Sequence, residues 1–291
     1  MGCSDSLWNC QTSTAGPLLP GRFQTITELA SSQCGRWVVA ASDKVARLWD
    51  LQDIQEENII LDLKGIEGAY VSSVAFSPTG IAQLAIADST GRVHIYDPSN
   101  RRVVKETQVK ETRVGAMSYS PNGQQLVMGS DGGVVYFWDL VSEEPGVEMN
   151  EHQGKVRSLA YSPCGQWIII AYQDKTVRLF QKQIVSDGEG VTVESWNCAA
   201  VVNSFYNQVE NISWSPTVPL EFVTSGYDRS VRVWRVSTTD NGVVFVGMLW
   251  GSNLGQLCAS DLAFKDAVGL DAINRRLLIQ RGAIESPSPT V

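Results

Sequence analysis

The sequence predicts an all-β molecule, a β-propeller of five clear four-stranded blades, on three observations. One long phrase recurs along the chain. Its apolar segments are short enough to be strands. Turn-forming residues stand between those segments at fixed places.

The phrase is an apolar strand, then Ser-Pro-x-Gly, a second strand, a turn containing Asp, and a third strand ending in an aromatic residue. Segment 70–98 reads YVSSVAFSPTGIAQLAIADSTGRVHIYDP, and segment 113–140 reads RVGAMSYSPNGQQLVMGSDGGVVYFWDL. Segments 155–181 (KVRSLAYSPCGQWIIIAYQDKTVRLFQ) and 209–236 (VENISWSPTVPLEFVTSGYDRSVRVWRV) repeat it. An earlier copy, 25–51, reads TITELASSQCGRWVVAASDKVARLWDL. Pro78, Pro121 and Pro163 are spaced by 43 and 42 residues, and Pro216 follows after 53. The extra residues of that last interval fall in 182–207, which is polar and Gly-containing at 186–190.

Each piece has a physical reading. Val74-x-Phe76 alternates as a half-buried strand does, although the step from Val71 to Val74 is irregular. Ser-Pro-x-Gly is turn chemistry, with Pro fixing φ and Gly accepting positive φ. Runs such as Leu126–Gly129 are apolar on both faces, as a strand packed between layers must be. Asp131-Gly132-Gly133 makes a tight hairpin. The five blades are expected at about 24–64, 70–109, 113–150, 155–198 and 209–250.

Composition narrows the function. The chain of 291 residues carries 23 Lys and Arg against 31 Asp and Glu, a net charge of −8, which repels a phosphate backbone and argues against nucleic-acid binding. Six scattered cysteines, with no C-x-x-C pair and no signal peptide, point to a reducing, cytoplasmic setting. No stretch is long and apolar enough to span a bilayer as a helix. His94 and His152 are the two histidines, and neither lies in a nucleophile or metal motif. No enzyme activity, cofactor or metal is expected.

These repeats resemble the WD40 family. The resemblance implies a propeller that holds other proteins. It also implies structural roles for the third-strand aromatics Trp49, Tyr96, Trp138, Phe180 and Trp234, and for the turn aspartates Asp43, Asp88, Asp131, Asp174 and Asp228. In the family that aspartate joins a hydrogen-bond network with Trp, Ser or Thr, and His. Here only His152 resembles the histidine, and its repeat has Phe180 in place of Trp.

The two ends read as pieces of further blades. Residues 4–12 resemble the end of a repeat, with Leu7-Trp8-Asn9 for L-W-D, so 1–22 is a partial blade. Residues 257–264 read as a first strand within 256–264, 266–281 as a short helix, and 284–291 as a disordered tail. The chain is thus an imperfect six-bladed ring or part of a larger propeller that needs a complementing segment. The stretch 269–283 resembles the ends of fungal proteins joining a NACHT nucleotide-binding module to WD40 repeats, which implies a sensor role, although no phosphate-binding loop occurs here. Gly2, with Cys3 beside it and Ser6 after it, fits an N-myristoylation pattern, and only such lipidation would bring a membrane into play.

Partner binding is expected on the rim. Lys175 and Arg229 follow turn aspartates, and Arg113, Lys155 and Arg157 flank the starts of first strands. Together they form a basic ring suited to an acidic peptide. Tyr70 and Tyr227 occupy equivalent rim places, and tyrosine is a frequent hot spot.

Overall fold

The computed structural model describes residues 6–9, 14–19, 26–42, 45–53, 59–62, 70–80, 82–110, 112–142, 145–150, 154–186, 192–239 and 241–252, with Arg275 and Leu278. It contains five four-stranded antiparallel sheets and one two-stranded sheet. The two-stranded sheet pairs β1 (Ser6–Asn9) with β2 (Thr14–Leu18). The first blade holds β3 (Glu28–Ser31), β4 (Trp37–Ala41), β5 (Val45–Asp50) and β6 (Ile59–Asp62). The second holds β7 (Val71–Phe76), β8 (Leu84–Asp88), β9 (Arg92–Asp97) and β10 (Arg102–Gln108). The third holds β11 (Val114–Tyr119), β12 (Gln125–Ser130), β13 (Val135–Asp139) and β14 (Pro145–Met149). The fourth holds β15 (Val156–Tyr161), β16 (Trp167–Tyr172), β17 (Val177–Ser186) and β18 (Thr192–Val202). The fifth holds β19 (Val209–Trp214), β20 (Glu221–Gly226), β21 (Val231–Thr238) and β22 (Val244–Gly251). In every blade, strands adjacent in sequence are adjacent in the sheet. The all-β propeller read from the repeats is the fold observed.

Of the helix expected over 266–281, only Arg275 and Leu278 are described; both are helical, and two residues establish no element. Asp43, His152, Gly2, Cys3, the strand expected at 256–264 and the tail at 284–291 lie outside the described residues.

One register recurs. The third-strand aromatic faces an apolar residue of the second strand: Val38 opposite Trp49, Leu84 opposite Tyr96, Leu126 opposite Trp138, Ile168 opposite Phe180, Phe222 opposite Trp234. All five aromatics are buried. The irregular step in the first strands is a β-bulge. The register shifts between Val71 and Ser73, Val114 and Ala116, Val156 and Ser158, and Val209 and Asn211. A bulge bends its strand and turns side chains to new directions. Here it lets Val71 and Val74 both face the core.

The Ser-Pro-x-Gly turns show why those residues are needed. Gly123 and Gly165 have φ of 70° and 71°, and their N–H groups donate to the Ser120 and Ser162 carbonyls. Each serine Oγ accepts the N–H that opens the next strand, from Gln125 at 3.0 Å and from Trp167 at 3.0 Å. In the fifth blade, where the phrase reads Ser-Pro-Thr-Val-Pro-Leu, Leu220 takes the positive φ.

The core lies between blades rather than within them. Val39, Ala41, Ala46 and Leu48 of the first blade pack on Val71, Val74, Leu84, Ile86 and Tyr96 of the second. The second packs likewise on the third, the third on the fourth, and the fourth on the fifth. On the far side of the first blade, Leu19, just after β2, is buried with Ala40 and Trp49. The sheets therefore form one stack, and its loops are held by rigid layers.

Candidate functional site

The first strands β3, β7, β11, β15 and β19 stand side by side in that order. Residues from all five line a central cavity of about 550 Å³. The residue after each bulged valine points into it: Ser72, Gly115, Arg157 and Glu210.

One end of this channel gathers the connections into the first strands and the hairpin turns between second and third strands. A backbone bond joins the two in four blades: Ser89 N–H to Tyr70 O, Asp131 N–H to Arg113 O, Gln173 N–H to Lys155 O, and Tyr227 N–H to Gln208 O. Tyr70, Arg113, Lys155, Lys175, Tyr227 and Arg229 therefore share one end, while Arg157 lies two residues into the channel from Lys155.

The cations expected to form a basic ring are in large part neutralised. Asp131 Oδ2 accepts from Lys155 Nζ at 2.8 Å and faces Arg113 Nη1 at 3.7 Å. Arg157 donates through Nη2 to Gln208 Oε1 at 2.7 Å, and its Nε lies 3.6 Å from Glu210 Oε1. Arg113 also lies over the Tyr70 ring, 5.6 Å from its centroid. Among the described residues, Lys175 and Arg229 make no ion pair, and both are exposed.

The turn aspartates fall into different places. Asp174 Oδ1 accepts from Thr176 N–H and Oγ1 at 3.0 and 2.7 Å. Asp228 Oδ1 accepts from Ser230 N–H and Oγ at 3.0 and 2.6 Å. Asp88, at the end of β8 and buried, holds Thr90 and Arg92 N–H groups at 2.7 and 3.1 Å. Asp131 caps no turn and serves the cations at the channel mouth instead. One leg of the family's network is present in the fifth blade, where buried Trp234 Nε1 donates to Thr224 Oγ1 at 2.9 Å.

Lys175 and Arg229 have a second distinction. Their φ values are 69° and 60°, at the register where Gly91 and Gly133 stand in other blades with φ of 87° and 86°. A side chain in that left-handed region costs about 1–2 kcal/mol relative to glycine, so two cations occupy places the backbone gives to glycine. Two widely exposed tyrosines share this end: Tyr227, 60 % exposed, in the hairpin of Arg229, and Tyr206, 75 % exposed, in the connection that Gln208 bonds to that hairpin.

Reading residue types missed Tyr206, Gln208, Glu28 and Glu210. Glu28 and Glu210 carried a signal, since each is a carboxylate within an otherwise apolar or small-residue first strand. Glu28 Oε2 accepts the Val74 N–H at 2.7 Å and Ser73 Oγ–H reaches Oε1 at 3.4 Å. Burial pushes its carboxyl up to about 7, against the lowering effect of the Val74 and Ser73 bonds and of Arg113. His94 Nδ1 lies 3.6 Å from Glu106 Oε2 on the second blade, away from the channel lining.

The chain is similar to several known proteins. Human Protein NEDD1 is 28 % identical over 96 residues, which are 33 % of this chain and 14 % of that protein. WD repeat-containing protein slr1409 of Synechocystis is 27 % identical over 78 residues, 27 % of this chain and 23 % of the relative. The Drosophila melanogaster protein LST8 homolog is 22 % identical over 142 residues, 47 % of this chain and 44 % of the relative. The chain thus spans less than half the length of each of these relatives. A chain in the crystal structure of the mitotic checkpoint complex superposes with a TM-score of 0.63 at 19 % identity, covering 79 % of this chain and 66 % of the other. The profile of the WD domain, G-beta repeat, matches residues 12–50, 102–139, 143–181 and 196–235, more than half of the chain. With five sheets of the same meander and register behind that match, the chain belongs to the WD40 repeat family.

Proposed function

We propose that the chain is a non-enzymatic protein-interaction scaffold that captures partners at the channel end bearing the hairpin turns. The observation that carries this reading is the group formed by Tyr206, Tyr227, Arg229 and Lys175. Large exposed tyrosines stand at the same end as two cations held in left-handed backbone without an acidic partner among the described residues. Backbone strain tolerated on an exposed turn is a pointer to function, and Tyr and Arg are the residues that dominate binding energy. Tyr70 and Arg113 extend the surface toward the channel. The partner that fits is a peptide segment with an acidic residue for Arg229 or Lys175 and apolar surface for the tyrosines. Arg113, Lys155 and Arg157 shape the channel wall in this reading rather than attract the acid, because carboxylates already face them.

The left-handed positions allow a test that separates binding from folding. Arg229→Gly and Lys175→Gly remove the cations and relieve the backbone, so each leaves the melting temperature unchanged or raises it. Both lower capture of acidic peptides on an array, and Tyr227→Ala lowers it about tenfold or more. Unchanged capture by the triple variant would discard the surface.

A further inference from the structure

The dipeptide Asn-Gly occurs twice in the sequence, at Asn122-Gly123 and Asn241-Gly242. Both copies sit in the same kind of turn. Gly123 and Gly242 take φ of 70° and 77°. Each donates its N–H at 2.8 Å to the carbonyl three residues back, Ser120 O and Thr239 O. A further backbone bond closes each loop, from Ser120 N–H to Gln125 O at 2.8 Å and from Thr239 N–H to Val243 O at 2.9 Å. The two asparagines thus have a common backbone setting, and their surroundings differ.

Three hydrogen bonds hold the Asn122 side chain. Its Oδ1 accepts from Ser120 Oγ at 2.7 Å and from the Gln124 N–H at 3.1 Å, and its Nδ2 donates to Gln124 Oε1 at 3.0 Å. The glycine beside it is closed in, since a Cβ at Gly123 would lie 2.5 Å from Thr79 Cγ2 and 3.0 Å from Ser77 Oγ of the second blade. Asn241 lies in the hairpin loop between β21 and β22. It is exposed, and among the described residues its side chain makes no hydrogen bond. A Cβ at Gly242 would meet nothing within 4 Å.

We propose that Asn241 is a site of spontaneous deamidation, and that the fold protects Asn122 from the same reaction. Glycine has no Cβ to shield its nitrogen, so the Gly242 backbone nitrogen can reach the carbonyl carbon of the unpinned Asn241 side chain. That nitrogen loses its proton and attacks Asn241 Cγ. A nitrogen–carbon bond forms, the Cγ–Nδ2 bond breaks, and the amide leaves as ammonia, which takes up the proton. Water then opens the resulting succinimide ring at either carbonyl. One opening gives aspartate; the other gives isoaspartate, whose main chain runs through the former side chain. Water is the only co-reactant. Either product adds a negative charge next to Asp240 in a chain of net charge −8. Isoaspartate also lengthens the main chain inside the loop and disturbs the bond between Thr239 and Val243 that closes it. The loop lies at the opposite end of β21 from Tyr227 and Arg229, so the modification is separate from the binding end.

The test holds the full chain in mildly alkaline buffer, digests it, and reads the deamidated fraction of each peptide by mass spectrometry. Asn241 is expected to react about tenfold or more faster than Asn122, because Asn122 must first break the bonds that hold it. In urea, where both turns are lost, the two should react at similar rates. A second readout is specific to isoaspartate. Methyl transfer from S-adenosylmethionine by an isoaspartyl methyltransferase labels the aged chain. Asn241→Gln, whose longer side chain disfavours the ring, removes most of that label. An unreactive Asn241, equal rates in the folded chain, the same difference persisting in urea, or unchanged labelling of Asn241→Gln would each overturn the proposal.

Discussion

Asp228→Ala is expected to destabilise the chain by about 3–5 kcal/mol, the usual result of removing one partner of a buried ion pair. Asp228 and Arg232 have side chains only 6 % and 11 % exposed, and they meet at 2.9 Å. The Arg232 guanidinium also donates to the Ser204 carbonyl at 2.6 Å and lies 4.9 Å from the Phe205 ring centroid. Phe205 in turn packs on Trp234 at 5.5 Å between ring centroids. Removing the carboxylate leaves a charge with little water around it and strips the Ser230 hydroxyl and N–H of their acceptor. Replacing both partners has a different sign. Arg232→Met in the Asp228→Ala background should recover much of the loss, because an apolar pair in such a place costs little. Urea midpoints of the two single variants and the double variant measure this directly. A loss below about 1 kcal/mol in Asp228→Ala would mean that water screens the pair as it does at an open surface. The same loop carries Tyr206, so weakened peptide capture should accompany the loss of stability.

The blades were legible because their signals are local. Turn glycines, alternating apolar residues and a terminal aromatic each act within a few residues, and they repeat. The turn aspartates were harder, because the sequence makes them look equivalent. Asp174 and Asp228 precede the next strand's valine by three residues, Asp131 by four and Asp88 by five. A slip of one residue in strand geometry turns a side chain to the other face. It takes Asp131 out of its own turn and sets it against Arg113 and Lys155. The carboxylates that face Arg113, Lys155 and Arg157 were hidden for a related reason. Arg157 and Glu210 lie in different blades, 53 positions apart, and only ring geometry brings them within 3.6 Å. The cations at the two glycine-like positions, Lys175 and Arg229, make no such pair among the described residues, because their environment is the turn itself.

Glu28→Gln is expected to make the chain more stable at pH 8 and nearly unchanged at pH 4. The carboxyl sits on the first strand of the first blade, where it accepts the Val74 N–H of the second. Burial raises its value from 4.5 to about 7. The sign follows from proton linkage. Below about 4.5 the group is protonated whether the chain is folded or not, and it makes no difference to stability. Between about 4.5 and 7 the unfolded chain has released the proton and the folded chain has kept it, so stability falls steadily as pH rises. Above about 7 both states are ionised and the loss is complete. Each pH unit between the two values is worth about 1.4 kcal/mol, so the full loss is about 3 kcal/mol. Glutamine keeps an oxygen for the Val74 N–H and offers an N–H₂ toward Ser73 Oγ, so the contact between blades survives without the titration. Melting temperatures of the parent and Glu28→Gln between pH 4 and 8 should diverge across that window and run parallel outside it. Parallel curves throughout would show that Arg113, or water entering from the channel, keeps Glu28 ionised in the folded chain. In that case the carboxylate would be a permanent negative charge facing the binding end, and an acidic partner segment would have to lie away from the first blade, toward Lys175 and Arg229.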